Sequence, residues 1–339
     1  MGRQRLSFFI SPFSFLISIM LIYILKRCAL AVVTLLVLLT IIFILVRQLP
    51  GDPFTSEKTP PAIRLQMLHY HGLDKPIFEQ WLIYISNLIR GDLGVSLKYP
   101  GRSVNSAIAA TFPYSGALGI RALVFALIAG LFLGIIAAQK AGHTLDYVCI
   151  FVAIIGVSVP EFVVGTLVQL GFSIKLRWLP AIQWLSWRHM ILPVFALGLN
   201  TLALLARLTR SSMMDVISQD YILTARAKGL SNFQVIWRHQ IRNSILPIIT
   251  VMGPRVAALL AGTFVIERVF AIPGMGRFFV ESINDLDYTM VLGMTAFYGL
   301  FLVCANLVAD ILYCLVDPRI KLAEKKYKKP DIEDAESDE

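Results

Sequence analysis

Six stretches of the chain run for about the length of a bilayer crossing with at most one charge each: residues 28–46, 113–138, 147–172, 189–206, 247–266 and 290–316. A hydrocarbon core about 30 Å thick takes about 20 apolar residues in a helix rising about 1.5 Å per residue. The pattern therefore predicts an all-α integral membrane protein with six transmembrane helices over residues 28–316. A seventh apolar run, residues 6–25, is parted from the first crossing only by Lys26-Arg27, and two residues without Gly or Pro cannot reverse a membrane helix. Pro12 weakens that run and Met20 stands where a shorter chain could start, so residues 1–27 are read as an N-terminal extension, with residues 1–19 an interfacial helix or a start-site artefact. The alternative is an extra span continuing into the next helix. A cleaved secretory signal fits poorly, because charges and a second apolar run follow at once without a small-residue cleavage site.

Six crossings divide the polar segments between two faces, and the basic residues choose between them. Of 31 Lys and Arg, 17 fall in residues 1–27, 139–146, 207–246 and 317–339, and 12 fall on the other face. Seven of those 12 lie in the long loop 47–112, where the orientation bias does not apply, and the short loops are left with five. Both termini are thus expected on the cytoplasmic side, loop 47–112 outside the cell, and 317–339 as a charged cytoplasmic tail ending in an acidic run.

Composition agrees with lipid as the solvent. The chain is 57% hydrophobic and 16% charged, with mean hydropathy +0.70, against roughly 45–50% and 25% in soluble domains. The net charge of +9 would point to nucleic acid in a soluble protein, but here it marks a membrane face, so no nucleic-acid partner is expected. Cys28, Cys149, Cys304 and Cys314 all fall in apolar spans and lack metal-ligand spacing, so they read as packing residues.

The chemistry the chain lacks narrows its function. ATP would need a loop of the form GxxxxGK[ST], and the dipeptide Gly-Lys does not occur. HExxH is absent too, and the five histidines are scattered, His69-x-His71 being at most a weak metal pair. No catalytic residue, cofactor or metal is expected. Glu161 and Asp310 are the only carboxylates well inside the spans, which is thin for an ion-coupled carrier. Glu161, Asn200 and Arg255, with Asn306 and Asp310, are polar groups in apolar segments, where an unpaired group costs several kcal/mol. They should face protein or water. Glu161, Asn200 and Arg255 are candidates for a translocation path, with helix-to-helix bonding as the alternative, while Asp310 reads as structural.

The segment 207–246 is unlike a tether. Asp220 can cap a short helix ending at Lys228, Gly229 can take the left-handed position that ends it, and Ser231 can cap a second helix. That second helix sets Phe233, Ile236, Trp237 and Ile241 at helical spacing, with Arg238 and Arg242 alongside. Forty residues with this much local order read as a docking element.

Thr224-Ala-Arg-Ala-Lys-Gly-Leu230, followed by Ile245-Leu-Pro247, resembles the coupling segment, often called the EAA motif, of permease subunits from ATP-binding-cassette importers. Leu223 stands where the general pattern has glutamate and Pro247 lies farther from Gly229, a departure that resembles the peptide and nickel branch of these permeases. Leu49-Pro-Gly-Asp-Pro53, Tyr70-His-Gly-Leu-Asp-Lys-Pro76, Gly91-Asp-Leu-Gly-Val-Ser96, the segment Phe264 to Arg277, Asp287-Tyr288 and Asp317-Pro-Arg-Ile-Lys321 point the same way. The nearest likeness is to the first membrane subunit of oligopeptide permeases, with dipeptide and nickel permeases as neighbours.

The resemblance implies a type I ABC importer transmembrane domain (MetI-like) in a bacterial inner membrane, itself non-catalytic. Its partners would be a second homologous permease subunit, two cytoplasmic ATP-binding subunits and an extracytoplasmic solute-binding protein. It implies that Tyr221, Thr224, Ala225, Arg226, Ala227, Lys228, Gly229 and Leu230 couple to an ATPase: Ala225, Ala227 and Gly229 by close backbone approach, Arg226 and Lys228 by polar contacts. Arg207, Arg210, Arg238 and Arg242 fit either that partner or anionic membrane lipid.

Overall fold

The structure, a computed structural model, describes residues 3–48, 54, 61–70, 72–99, 101–261 and 264–316, with side chains described from residue 25 to 308 apart from short gaps. In chain order the helices are α1 (Arg3–Arg47), α2 (Pro61–Tyr70), α3 (Ile77–Ile89), α4 (Val104–Gln139), α5 (Thr144–Ser158), α6 (Glu161–Val168), α7 (Arg188–Ile217), α8 (Asp220–Ala227), α9 (Asn232–Val235), α10 (Arg242–Ser244), α11 (Leu246–Ala261), α12 (Phe264–Val269), α13 (Met275–Asn284) and α14 (Tyr288–Val316). Two π-helical turns, Gln169–Lys175 and Ile236–Ile241, continue α6 and join α9 to α10. Among the described residues there is no strand, only the single bridge Val95–Ser103.

Among the described residues four helices are long and apolar enough to cross a bilayer, at Leu25–Arg47, Val104–Gln139, Arg188–Ile217 and Tyr288–Val308. The predicted span 147–172 is not one straight helix. It breaks between α5 and α6 with a bend of 110°. Pro160 is the cause: it has no N–H to give and its ring keeps Val159 out of the helical region, at φ −93° and ψ 125°. The apolar run hides this break because both halves are equally hydrophobic. The predicted span 247–266 is likewise not one continuous described helix, since α11 covers 16 residues and α12 follows beyond residues 262–263. The span placed at 113–138 starts earlier, at Val104, where Ser103 Oγ accepts the Ser106 N–H at 3.1 Å, and Pro113 is carried inside the helix. At the N-terminus α1 runs unbroken through Lys26-Arg27, so no boundary exists in the helix at residue 27, and both charges are exposed. Leu49-Pro-Gly-Asp-Pro53, His71 and the tail 317–339 lie outside the described residues.

Close backbone contact between α4 and α7 forms the centre of the bundle. A Cβ on Gly134 would lie 2.5 Å from Thr209 Cβ and 2.7 Å from the Ala206 carbonyl oxygen, and one on Gly130 would lie 2.8 Å from Leu205 Cβ. Dispersion contact between near-touching backbones is what holds helices together where lipid removes the hydrophobic drive. Gly156 does the same for α5 against α7, 2.7 Å from Ala203 Cβ. Asp146, buried in the first turn of α5, pairs in two-pronged fashion with Arg210 of α7 at 2.5 and 2.7 Å. That pair takes Arg210 out of the set left for lipid or ATPase.

At the other end of α4 a layer of loops and short helices covers the bundle. Trp81 Nε1 of α3 donates to Thr40 Oγ1 of α1 at 3.2 Å, and Tyr84 Oη donates to the Leu292 carbonyl of α14 at 3.3 Å. Asp287 is the layer's polar anchor. Buried ahead of α14, it accepts hydrogen bonds from Ser96 Oγ, from Leu97 N–H at 3.1 Å and from Met290 N–H at 3.2 Å. Two motifs far apart in sequence, Gly91–Ser96 and Asp287-Tyr288, are thus one joint.

Candidate functional site: the capped hairpin and the polar triad

The hairpin between α7 and α11 is built largely as its turn chemistry requires. Gln219, not Asp220, holds the N-cap position of α8, in extended backbone and without a capping side-chain bond, its Nε2 donating back to the Asp215 carbonyl at 3.1 Å instead. Asp220 is the first helical residue, where its charge complements the helix dipole instead. At the far end Gly229 takes φ +79°. Its N–H donates to the Arg226 carbonyl at 3.0 Å and the Leu230 N–H to the Ala225 carbonyl at 3.4 Å, so the last carbonyls of α8 are satisfied by a Schellman turn. Ser231 then opens α9 with a reciprocal capping pair, its Oγ accepting from Gln234 N–H while Gln234 Oε1 accepts from Ser231 N–H at 3.0 Å.

The inside of the hairpin is small and dry. Ile222, Ala225 and Val235 are buried together, with Val216 and Leu230 packed against them. This relocates one of the residues expected to approach a partner: Ala225, three residues after Ile222, turns inward and holds α8 to α9. Leu230 is half-buried, while Tyr221, Thr224, Arg226, Ala227, Lys228 and Gly229 are exposed. Leu223 is exposed as well, where charge would be ordinary. Phe233 and Trp237 stand out into solvent at 69% and 56% exposure, their rings 6.0 Å apart. Ile236 and Ile241 do not share that outward face; they are half-buried. The π turn at Ile236–Ile241 inserts one residue into the helical register and so separates positions that a regular helix would align.

The same turn points Gln240 into the bundle. Fully buried, its Oε1 accepts from Gln139 Nε2 at 2.5 Å, at the last residue of α4, and its Nε2 has no partner. Ser212 Oγ of α7 donates to the Ser244 carbonyl at 2.8 Å. The hairpin is thereby fastened to α7 and α4 at once. Neither Gln139 nor Gln240 carries any motif that would have marked it, and they lie 101 residues apart.

Within the apolar helices two of the three path candidates are bonded, and the third lies within reach of the arginine's charge without pairing to it. Arg255 Nη1 of α11 donates to Asn200 Oδ1 of α7 at 3.2 Å, and the Arg255 charge acts on Glu161, the first residue of α6. All three are half-buried. Asn306 is exposed and takes no part in this group, and the Asp310 side chain lies outside the described residues. Among the described residues no cluster of three metal-ligating side chains occurs.

Long apolar helices, a polar triad inside them and a stiff hairpin at one end define a multi-pass membrane protein of the transporter class. The sequence pattern of the "binding-protein-dependent transport system inner membrane component" matches residues 130–322, and the N-terminal pattern of the same membrane components matches residues 20–107. A dipeptide transport system permease protein of Bacillus subtilis (strain 168) is 45% identical over 304 residues, covering 89% of this chain and 99% of that protein. An oligopeptide transport system permease protein of Haemophilus influenzae is 40% identical over 305 residues, 89% of this chain and 100% of that protein. A solved chain of the MetNI methionine ABC transporter is 13% identical, with a TM-score of 0.48, over 62% of this chain and 96% of that one. The chain belongs to the family of binding-protein-dependent transport system inner membrane components.

Proposed function

We propose that the chain is the membrane-spanning half of an ATP-driven peptide importer, crossing the membrane six times with both termini cytoplasmic, α5 and α6 together forming one bent crossing. In this reading a second homologous subunit completes the path, two cytoplasmic subunits hydrolyse ATP, and an extracytoplasmic protein delivers the solute. The hairpin's exposed tip carries the proposal: Arg226, Ala227, Lys228 and Gly229 are presented on a turn held by local main-chain bonds, from the Lys228, Gly229 and Leu230 N–H groups to the Thr224, Arg226 and Ala225 carbonyls, so it can seat in a partner without refolding. Support for a peptide cargo comes from the names of the full-length relatives, which divide between dipeptide and oligopeptide transport.

The mechanism follows from the fastening. A push on α8 moves a hairpin stiffened by Ile222, Ala225 and Val235, and reaches α4 through Gln240 and Gln139 and α7 through Ser244 and Ser212. Because α7 carries Asn200 and α11 carries Arg255, sliding one against the other makes or breaks their bond. When it is broken the guanidinium is free for a peptide carboxylate, and Glu161 stands ready for a peptide ammonium group.

Proteoliposomes holding the chain with its partner subunits, loaded with ATP on the cytoplasmic face, are expected to accumulate labelled peptides only when the solute-binding protein is present outside. Uptake of nickel chelates but no peptide, or peptide uptake indifferent to ATP, would contradict this reading.

A further inference from the structure

The geometry points to a carboxylate socket on the loop layer, built around Arg47, that receives an acidic side chain of the extracytoplasmic solute-binding protein. This rests on the reading above, which places that layer outside the cell. The layer lies at the start of α4, the hairpin at its end, so the two are on opposite faces of the bundle.

Arg47 is the last residue of α1. Its guanidinium carbon sits 5.3 Å from the centre of the Phe43 ring and 5.5 Å from that of Tyr288. Its Nε is buried without a hydrogen-bond partner, and among the described residues no carboxylate forms an ion pair with it. Two aromatic contacts hold a cation in place but leave its donors unused, and a guanidinium's planar fork matches a carboxylate.

Arg47 lines a cavity of about 470 Å³ between α1, α3 and the start of α14. The charged groups around it are already engaged or lie at its rim. His69 pairs with Asp74 at 2.7 Å, Asp92 accepts the Gly94 N–H at 2.9 Å, and Lys75 is exposed at the mouth. A second wall residue, Gln80, donates its Nε2 to the Leu73 and Lys75 carbonyls at 3.1 and 2.7 Å, while its Oε1 is buried without a partner. The cavity is thus lined by a guanidinium that no carboxylate among the described residues neutralises, with Gln80 a fixed part of its wall. A protein segment bearing Asp or Glu supplies the missing carboxylate. Lys75 adds attraction at longer range.

The test is the affinity of the importer's own solute-binding protein for the assembled complex in lipid nanodiscs, measured across salt concentrations. Arg47→Met is expected to weaken binding about ten- to hundredfold and to flatten its salt dependence. Arg47→Lys, which restores charge without the fork, should recover part of the loss. Lys75→Glu, outside the packed wall, should weaken binding about tenfold, and this reads the socket even if Arg47→Met fails to assemble. Wild-type affinity in an assembled Arg47→Met complex overturns the proposal, as does wild-type affinity in Lys75→Glu when Arg47→Met cannot be assembled. A loss that appears only with anionic lipid in the disc gives the socket to a lipid headgroup and overturns it too. If the wild-type complex binds no solute-binding protein at all, the reading of the chain as an importer subunit falls with it.

Discussion

Gly229→Arg is expected to cut ATP-driven uptake by about 30-fold or more while leaving the amount of protein in the membrane near that of wild type. The magnitude is that of a contact at the centre of a docking surface, about 2 kcal/mol or more. Two costs are mixed in that substitution, and a second variant separates them. Gly229 sits at φ +79°, a conformation that charges any other residue about 1–2 kcal/mol. Nothing lies within 4 Å of where its Cβ would be, so within this chain there is no clash to add. Gly229→Ala therefore incurs the backbone cost alone and should keep most of the uptake. Gly229→Arg adds bulk at the tip, where a partner's groove would close around it. Vesicle uptake, normalised to immunoblots of the membrane fraction, reads both. Equal activity of the arginine variant and wild type would remove the tip from the coupling surface.

Asp287→Ala should be the most damaging single truncation of the loop layer, costing about 3–5 kcal/mol and leaving little folded protein at growth temperature. Its carboxylate serves Ser96 Oγ, Leu97 N–H and Met290 N–H from a buried position. Removing it strands three donors and strips the start of α14 of its cap. Ser96→Ala takes away one donor and leaves Asp287 bonded twice, but also removes the acceptor of the Lys98 and Tyr99 N–H groups, which sit at exposed residues, and should cost about 1–2 kcal/mol. Fluorescence-detected gel filtration of detergent extracts, followed by thermal melting of the recovered peak, ranks the two. A melting temperature for Asp287→Ala equal to wild type would mean that the joint between the Gly91–Ser96 and Asp287-Tyr288 motifs holds nothing.

What could be read from sequence and what could not divides by distance along the chain. The Gly229 turn and the Ser231 cap were legible because the residues that satisfy each backbone group lie within five positions of it. The long helices were legible because apolar length is itself the signal. Pro160 was visible, but an unbroken apolar run outweighed it, and the physics went the other way: in α5 to α6 the missing N–H decided the geometry. The resemblance put Ala225 among the positions of close approach to a partner, and a helix of eight residues gives too little periodicity to show that Ile222 and Ala225 share its inner face. The pairing of the fastenings was not legible. Asp146 with Arg210, Gln139 with Gln240 and Ser96 with Asp287 join residues 64, 101 and 191 positions apart, and even where a motif marks an end, as at Ser96 and Asp287, no local pattern says what it meets. The polar triad was half legible, because burial cost singles out Glu161, Asn200 and Arg255 but cannot say that three different helices bring them together.

The coupling surface is tested most directly by cysteine cross-linking to the ATPase subunits, after Cys28, Cys149, Cys304 and Cys314 have been replaced. Ala227 is exposed on α8 and Ala225 is buried against Val235. With a short bifunctional reagent, Ala227→Cys should give a cross-linked permease–ATPase band whose yield changes when ATP is added, and Ala225→Cys should give none. A band from residue 225 and not from 227, or no ATPase band from any exposed position of the hairpin, would contradict the account.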